Sequence, residues 1–124
     1  MRPAILLVDH GSRRAEANAQ LEELAARLAA RAADRVVRFA HMELAPPSIA
    51  EGLAACVADG AREIVVHPYF LGPGSHTRSD IPRLVEEAAA RHPGVRVRVS
   101  EPLGIDERIV ELILDRVAAV EETR

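Results

Sequence analysis

Two loops of this chain place a histidine beside glycine, a combination of residue types that suits metal binding and proton transfer. The first follows the apolar run Ala4 to Val8 and reads Asp9-His10-Gly11-Ser12-Arg13. The second follows the apolar run 64–71, is rich in glycine and proline, and contains His76. Neutral imidazole nitrogen is a ligand for divalent iron, cobalt or nickel, and imidazole also accepts protons near neutral pH. We therefore take His10 and His76 as candidate metal ligands and bases of one site.

The elements that must position these loops follow from the apolar pattern, which predicts strands and helices in alternation. Strands are expected over residues 4–9, 36–40, 64–71 and 95–99, and helices over about 15–31, 48–59, 80–92 and from about 106. Alternation with short connections is typical of a parallel sheet covered by helices on both faces. We predict an α/β three-layer sandwich, flavodoxin-like, with a four-stranded parallel sheet in the order 2-1-3-4 and a single domain over 1–124.

The predicted strand order explains why the two histidine loops should meet. Strands 1 and 3 are neighbours in that order, and ligands of open α/β sheets bind beyond the carboxyl ends of the strands, near the switch in strand order. His10 follows strand 1 and His76 follows strand 3, so both are expected at the same edge. Gly72 and Gly74 precede His76 and allow backbone to approach a ligand closely.

Several of these polar residues also have a purely structural interpretation. His10 taken alone suits a hydrogen-bonding role in its loop as well as it suits catalysis. His41, at the end of strand 2, is expected to be packed or hydrogen-bonded, and His67, inside strand 3, is expected to be a core or supporting residue. Ser12 and Asp80 each precede a predicted helix and are interpreted as N-caps.

Composition excludes several classes of function. The 16 basic residues are all arginine, the net charge is -3 and aromatic residues make up 2%, which argues against a nucleic-acid partner and a Schiff-base lysine. One cysteine cannot build a disulfide framework or a cysteine-ligated cluster. No apolar run approaches the roughly 20 residues of a membrane span, and no signal peptide is evident. We expect a cytoplasmic protein without a membrane partner.

Several segments, taken in order, resemble the sirohydrochlorin chelatases, the short form of the class II cobalt, iron or nickel chelatases. They are Leu7-Val8-Asp9-His10-Gly11-Ser12-Arg13-Arg14, His41-Met42-Glu43-Leu44-Ala45-Pro46-Pro47-Ser48-Ile49, Gly60-Ala61, Val65-Val66-His67-Pro68-Tyr69-Phe70-Leu71, Gly74-Ser75-His76, Asp80-Ile81-Pro82 and Pro102-Leu103-Gly104. The segments extend over nearly the whole chain. H-G-S-R alone is a weak signal, but together with G-x-H-x-x-x-D-I-P it is specific.

The resemblance implies insertion of Fe²⁺, Co²⁺ or Ni²⁺ into sirohydrochlorin, a tetrapyrrole with eight carboxylates. By the family's pattern, His10 and His76 bind the metal and accept pyrrole protons. The macrocycle is expected against the loop formed by Leu71, Gly72, Pro73, Gly74 and Ser75. The metal is then a substrate, and no permanently bound cofactor is expected. The short family members are homodimers, so a homodimer is expected here as well.

Two further residues are candidates for contact with the substrate. The family usually has Glu-Pro, with a substrate-contacting glutamate, where this chain has Pro46-Pro47; Glu43 is a carboxylate close by that is available for this role. Arg13 is suited to bidentate pairing with a substrate carboxylate, with a solvent-facing arginine as the alternative. Two other functions stay open: a non-catalytic metal or tetrapyrrole carrier that uses the same crevice, and an α/β binding module with incidental histidines.

Overall fold

A single parallel sheet with the strand order β2-β1-β3-β4 organises the chain. The structure is a computed structural model that describes residues 2–74 and 79–122. Its strands and helices are β1 Ala4–Asp9, α1 Ala15–Arg31, β2 Val36–His41, α2 Ile49–Ala58, β3 Glu63–Pro68, α3 Ile81–Ala89, β4 Arg96–Val99 and α4 Glu107–Glu122. The predicted α/β class and the strand order 2-1-3-4 are confirmed.

The two faces of the sheet are covered by different helices. Successive side chains of a strand point to opposite faces, so Leu6 and Val8 of β1 join the larger aliphatic core with α2 and α3, while Leu7 faces α1. The smaller core on the α1 side is built around Leu21 and Ala25. Central strands buried on both faces read as continuous apolar runs, which is why β1 was evident from the sequence.

The ends of α2 follow local rules. Ser48 Oγ accepts a hydrogen bond from the Glu51 N–H (3.1 Å), and Glu51 Oε1 accepts one from the Ser48 N–H (2.8 Å). This reciprocal capping box begins α2 directly after the loop that follows β2. Gly60, with φ +96°, lies just beyond the end of α2 as expected for a helix stop.

The other two predicted caps are different in the structure. The N-cap of α1 is Arg14; the prediction of Ser12 was wrong because the helix begins later, and the Ser12 hydroxyl instead accepts a hydrogen bond from the Arg14 N–H. Asp80 does take the N-cap position of α3, but its backbone is already helical (φ -70°, ψ -49°) and its side chain makes no capping hydrogen bond.

Strand β3 is shorter than predicted. The apolar run extends from 64 to 71, but β3 ends at Pro68. The Phe70 N–H donates to the Pro68 carbonyl (2.9 Å), a bond between residues i and i+2 that turns the chain sharply. Apolar character therefore continues beyond the strand into the loop that reaches the edge of the sheet.

The last helix was predicted from about residue 106. The helix is confirmed, but none of its described side chains is buried. No helix in the described ranges 2–74 and 79–122 combines the length and the apolar character that crossing a membrane requires.

His67 lies half-buried in β3, and its Nδ1 is 2.8 Å from Ser100 Oγ. Burial lowers the pKa of His67, because the charged imidazolium loses hydration there. The prediction of a core or supporting residue agrees with this environment.

Replacing His67 should make stability less dependent on pH. Because its pKa is lower in the folded than in the unfolded chain, its contribution is fully present above the unfolded value near 6.5 and is lost as pH falls toward the folded value. In His67→Asn, which keeps a nitrogen or oxygen near Ser100, the free energy of unfolding should fall less between pH 7.5 and 5. Urea unfolding at several pH values measures this, and parallel curves for both proteins would contradict it.

Candidate functional site

The loops after β1 and β2 lie side by side at the carboxyl edge of the sheet. The Met42 N–H donates to the Asp9 carbonyl (2.8 Å), and the Glu43 N–H donates to the His10 carbonyl (3.0 Å). These bonds continue the parallel pairing of β1 with β2 beyond the strand ends, where Asp9 is paired with His41. The two loops therefore hold a fixed register relative to each other.

Gly11 makes this close approach possible. A Cβ atom at Gly11 would lie 1.9 Å from the carbonyl oxygen of Glu43 and 3.0 Å from Cβ of His41. Its φ of +93° is also in the left-handed region that side chains with a Cβ disfavour. Glycine is thus required here for both conformation and space.

The result of this register is an imidazole and a carboxylate in contact, those of His10 and Glu43. Nε2 of His10 lies 3.0 Å from Oε2 of Glu43, and the side chains are 40% and 52% exposed. Nδ1 of His10 lies 3.1 Å from the Gly11 carbonyl oxygen. A carbonyl only accepts, so this bond requires the proton on Nδ1. The Nε2 lone pair of a neutral His10 then faces the Glu43 carboxylate, an arrangement that a proton or metal cation stabilises.

Beneath this pair, a buried histidine joins the ends of the two strands. His41 is 1% exposed, and its Nδ1 lies 2.6 Å from Oδ1 of Asp9. The expectation that His41 is packed and hydrogen-bonded is confirmed. Because a buried imidazole needs a hydrogen-bonding partner, this contact fixes Asp9 directly before His10.

Helix α1 holds the other side of the first loop through Asn18. The Ser12 N–H donates to Asn18 Oδ1 (2.9 Å), and Asn18 Nδ2 donates to the Ser12 carbonyl (2.7 Å). Sequence reasoning missed Asn18. The available signal was an asparagine in the early turns of a helix, where this residue type has low helix propensity.

The loop after β3 lies at the same edge and is held from two sides. The Tyr69 N–H donates to the Val8 carbonyl (2.7 Å), and the Gly104 N–H donates to the Leu71 carbonyl (2.8 Å). Leu71 is 77% exposed, and a Cβ at Gly72 or Gly74 would meet no atom of the described residues within 4 Å. This loop therefore has open space on its outer side.

The structure brings some predicted site residues together and leaves others untested. It places His10 against Glu43 and puts the loop Leu71–Gly74 at the same sheet edge. Ser75 and His76 lie outside the described residues, so the pairing of His76 with His10 stays a prediction. Arg13 is exposed, and its pairing with a substrate carboxylate also stays a prediction. Within the described ranges, no three His, Cys, Asp or Glu side chains are grouped to hold a metal.

The family model described as CbiX matches residues 4–120. The chain belongs to the CbiX family. This CbiX chain is 42% identical over 113 residues to chloroplastic sirohydrochlorin ferrochelatase of Arabidopsis thaliana, over 91% of the chain and 50% of the relative. It is 30% identical over 138 residues to sirohydrochlorin cobaltochelatase of Methanococcus maripaludis, over 91% of the chain and 96% of the relative.

Solved structures agree with this family and fold. The sirohydrochlorin chelatase SirB from Bacillus subtilis subspecies spizizenii, in complex with cobalt, superposes with a TM-score of 0.90 at 35% identity, over 97% of the CbiX chain and 51% of SirB. A CbiX protein from Marinobacter aquaeolei gives a TM-score of 0.82 at 33% identity, over 98% of both chains. The chain thus spans about half the length of the Arabidopsis and Bacillus relatives and nearly all of the Marinobacter protein.

A methyl group at Gly11 should separate the two loops. We expect Gly11→Ala to cost about 1–2 kcal/mol for the left-handed backbone and about 1–3 kcal/mol more for the clash with Glu43. Gly60→Ala is the matched control, because Gly60 has a similar φ of +96° but nothing within 4 Å of an added Cβ. Urea unfolding measures both variants, and an equal loss of stability would contradict the close approach.

Proposed function

We propose that this CbiX chain is a lyase-type sirohydrochlorin metal chelatase that inserts Fe²⁺ or Co²⁺ into sirohydrochlorin. The observation that carries the proposal is the His10–Glu43 pair at the carboxyl edge of the sheet, where ligands of open α/β sheets bind. The relatives support the substrate, since they are named sirohydrochlorin ferrochelatase and sirohydrochlorin cobaltochelatase.

The spacing of His10 and Glu43 suits a metal substrate. Bonds from a divalent metal to imidazole nitrogen and carboxylate oxygen are about 2.1 Å long. Two ligands 3.0 Å apart can then occupy neighbouring positions around one ion. We assign Glu43 to the metal together with His10, in addition to the substrate contact expected from the sequence, and His76 as the further ligand.

The hydrogen bond of His10 with the Gly11 carbonyl determines which ring nitrogen is available to a metal or a proton. With the proton on Nδ1, Nε2 offers its lone pair to a metal or to a pyrrole proton. The carboxylate of Glu43 beside Nε2 stabilises the positive charge that either cation brings. Metal insertion removes two protons from pyrrole nitrogens, and a neutral imidazole is a suitable general base for that step.

The partial exposure of His10 and Glu43 suits transfer of a metal ion to a substrate better than permanent binding of the ion. A structural metal site closes around its ion with four protein ligands, whereas a reactive site leaves positions open. His10 and Glu43 are 40% and 52% exposed, so a bound ion would remain accessible to a macrocycle lying against Leu71–Gly74. Arg13, exposed in the loop after β1 that also contains His10, is proposed to pair with a substrate carboxylate.

Both iron and cobalt suit the His10–Glu43 pair. Imidazole and carboxylate accept both ions. Structures of SirB from Bacillus subtilis are described with cobalt and with Fe³⁺. We also propose that the protein acts as a homodimer of single-domain chains in the cytoplasm.

Substitution of the pair should remove catalysis of metal insertion. We expect His10→Ala to lower the catalysed rate of Co²⁺ or Fe²⁺ insertion, measured after subtraction of the spontaneous rate, by about 10²–10⁴-fold. A positioned base contributes a factor of that size. Glu43→Gln should lower it by at least about 10–100-fold, because loss of even a group that supports a metal ligand typically costs that much. Absorbance of the metallated tetrapyrrole follows the reaction, with Glu86→Gln, an exposed residue of α3, as the matched control.

Two results would count against the proposal. Wild-type rates in both His10→Ala and Glu43→Gln would remove these residues from the site. Tight binding of metal or sirohydrochlorin by the wild type without multiple turnovers would favour the carrier function instead. His76→Ala tests the predicted second histidine by the same assay.

A further inference from the structure

Leu44, directly after Glu43, has a backbone conformation that leucine disfavours. Its φ is +74°, and within the described ranges 2–74 and 79–122 it is the only residue other than glycine with a positive φ. In this left-handed region the Cβ atom crowds the following carbonyl oxygen, whereas glycine has no Cβ and avoids the contact. A leucine at this position therefore makes the turn less favourable than a glycine would.

The fixed ends of the loop after β2 explain why the chain keeps this conformation. Before Leu44, the backbone of Glu43 is held by its close approach to Gly11. After Leu44, the loop returns to the end of β2, where the His41 N–H donates to the Pro47 carbonyl (2.8 Å). An unfavourable backbone conformation persists where the surrounding structure determines it in this way, and such conformations cluster at sites that bind ligands.

The side chain of Leu44 is not packed into the core of its own chain. It is 51% exposed, and it belongs to neither of the two apolar clusters that the described residues form. Burial of a leucine in a core stabilises a protein in proportion to the apolar area removed from water, so an exposed leucine offsets little of its unfavourable backbone. About half of this side chain is instead available to another molecule.

Other exposed aliphatic side chains lie at the same edge of the sheet. Apart from those of α4, the large apolar side chains exposed in the described part of the chain are Leu44, Leu71, Leu103 and Ile105, at 51%, 77%, 39% and 103%. They come from the loops after β2, β3 and β4, which all leave the carboxyl edge that carries the candidate site. Single exposed apolar residues are ordinary, but a group of them at one edge is typical of a binding site.

We propose that Leu44 binds the apolar face of the tetrapyrrole and sets the position of the ring over His10 and Glu43. This assignment rests on the proposed function. A tetrapyrrole ring is apolar on its faces and carries its carboxylates at the rim, so an aliphatic side chain suits the ring face and guanidinium groups suit the rim. Leu44 follows Glu43 directly, so one fixed stretch of backbone carries a residue assigned to the metal and a residue assigned to the ring.

Paired substitutions at Leu44 test the backbone constraint without an assay of function. Leu44→Ala and Leu44→Gly both remove the side chain beyond Cβ, but only glycine also removes the left-handed crowding. At equal protein concentration, the urea midpoint of Leu44→Gly should exceed that of Leu44→Ala by about 0.2–0.7 M, because the crowding outweighs the extra freedom of the unfolded glycine chain. Ala45→Gly is the control, since the φ of Ala45 is not positive, and it should lower the midpoint. A lower midpoint for Leu44→Gly than for Leu44→Ala would overturn the proposal.

The kinetics of metal insertion test the contact with the ring. We expect Leu44→Ala and Leu44→Gly each to raise KM for sirohydrochlorin by about 3–10-fold, the factor that corresponds to covering half of a leucine side chain. The value of kcat and KM for Co²⁺ should stay within about twofold of the wild type, since the contact contributes to binding of the ring alone. Leu44→Met keeps an apolar side chain of similar volume and should restore the wild-type KM. Leu112→Ala in α4 is the matched control, because Leu112 is 47% exposed and lies outside the site loops.

The outcomes separate this contact from the chelatase function itself. A wild-type KM for sirohydrochlorin in Leu44→Ala would overturn the contact alone, and so would a change confined to kcat or to KM for Co²⁺, because the leucine would then act on Glu43 and not on the ring. Titration of metal-free sirohydrochlorin, followed by its absorbance, needs no turnover. A wild type that binds sirohydrochlorin without inserting metal, with a Kd that rises about 3–10-fold in Leu44→Ala, would contradict the chelatase function and support the contact.

Discussion

The close contact between Gly11 and the backbone of Glu43 is the constraint on which the candidate site depends. Only a residue without a Cβ permits the 1.9 Å that separates the ideal Cβ position from the Glu43 carbonyl oxygen. That approach allows Glu43 N–H to reach the His10 carbonyl, and the side chains that follow are then held 3.0 Å apart. The register between the two backbones thus brings an imidazole and a carboxylate together, although the two residues are far apart in the sequence.

Rigidity beneath the pair contrasts with exposure above it. The buried His41 is hydrogen-bonded to Asp9, and Asn18 makes two hydrogen bonds with the backbone of Ser12. These bonds fix the chain on both sides of His10. The His10 and Glu43 side chains themselves remain partly exposed. Preorganised backbone with accessible side chains is the arrangement that exchange of a metal between solvent and a macrocycle requires, because the ligands need no reorganisation but do not enclose the ion.

The exposure of α4 agrees with the limited hydrophobic core of a small aliphatic protein. A chain of 124 residues with 2% aromatic residues has a limited core, and α2 and α3 already complete the larger of its two clusters.

The sequence by itself determined the α/β class, the strand order and the edge at which His10 lies, because apolar runs, helix caps and alternation are local signals. The helix predicted over about 48–59 likewise agrees with α2, which has Ser48 as its N-cap. Tertiary structure decided three other features: the pairing of Glu43 with His10, the hydrogen bonds between Asn18 and Ser12, and the earlier end of β3. Each depends on how separate segments of the chain are arranged in space. Only the packed structure shows that none of the described side chains of α4 is buried.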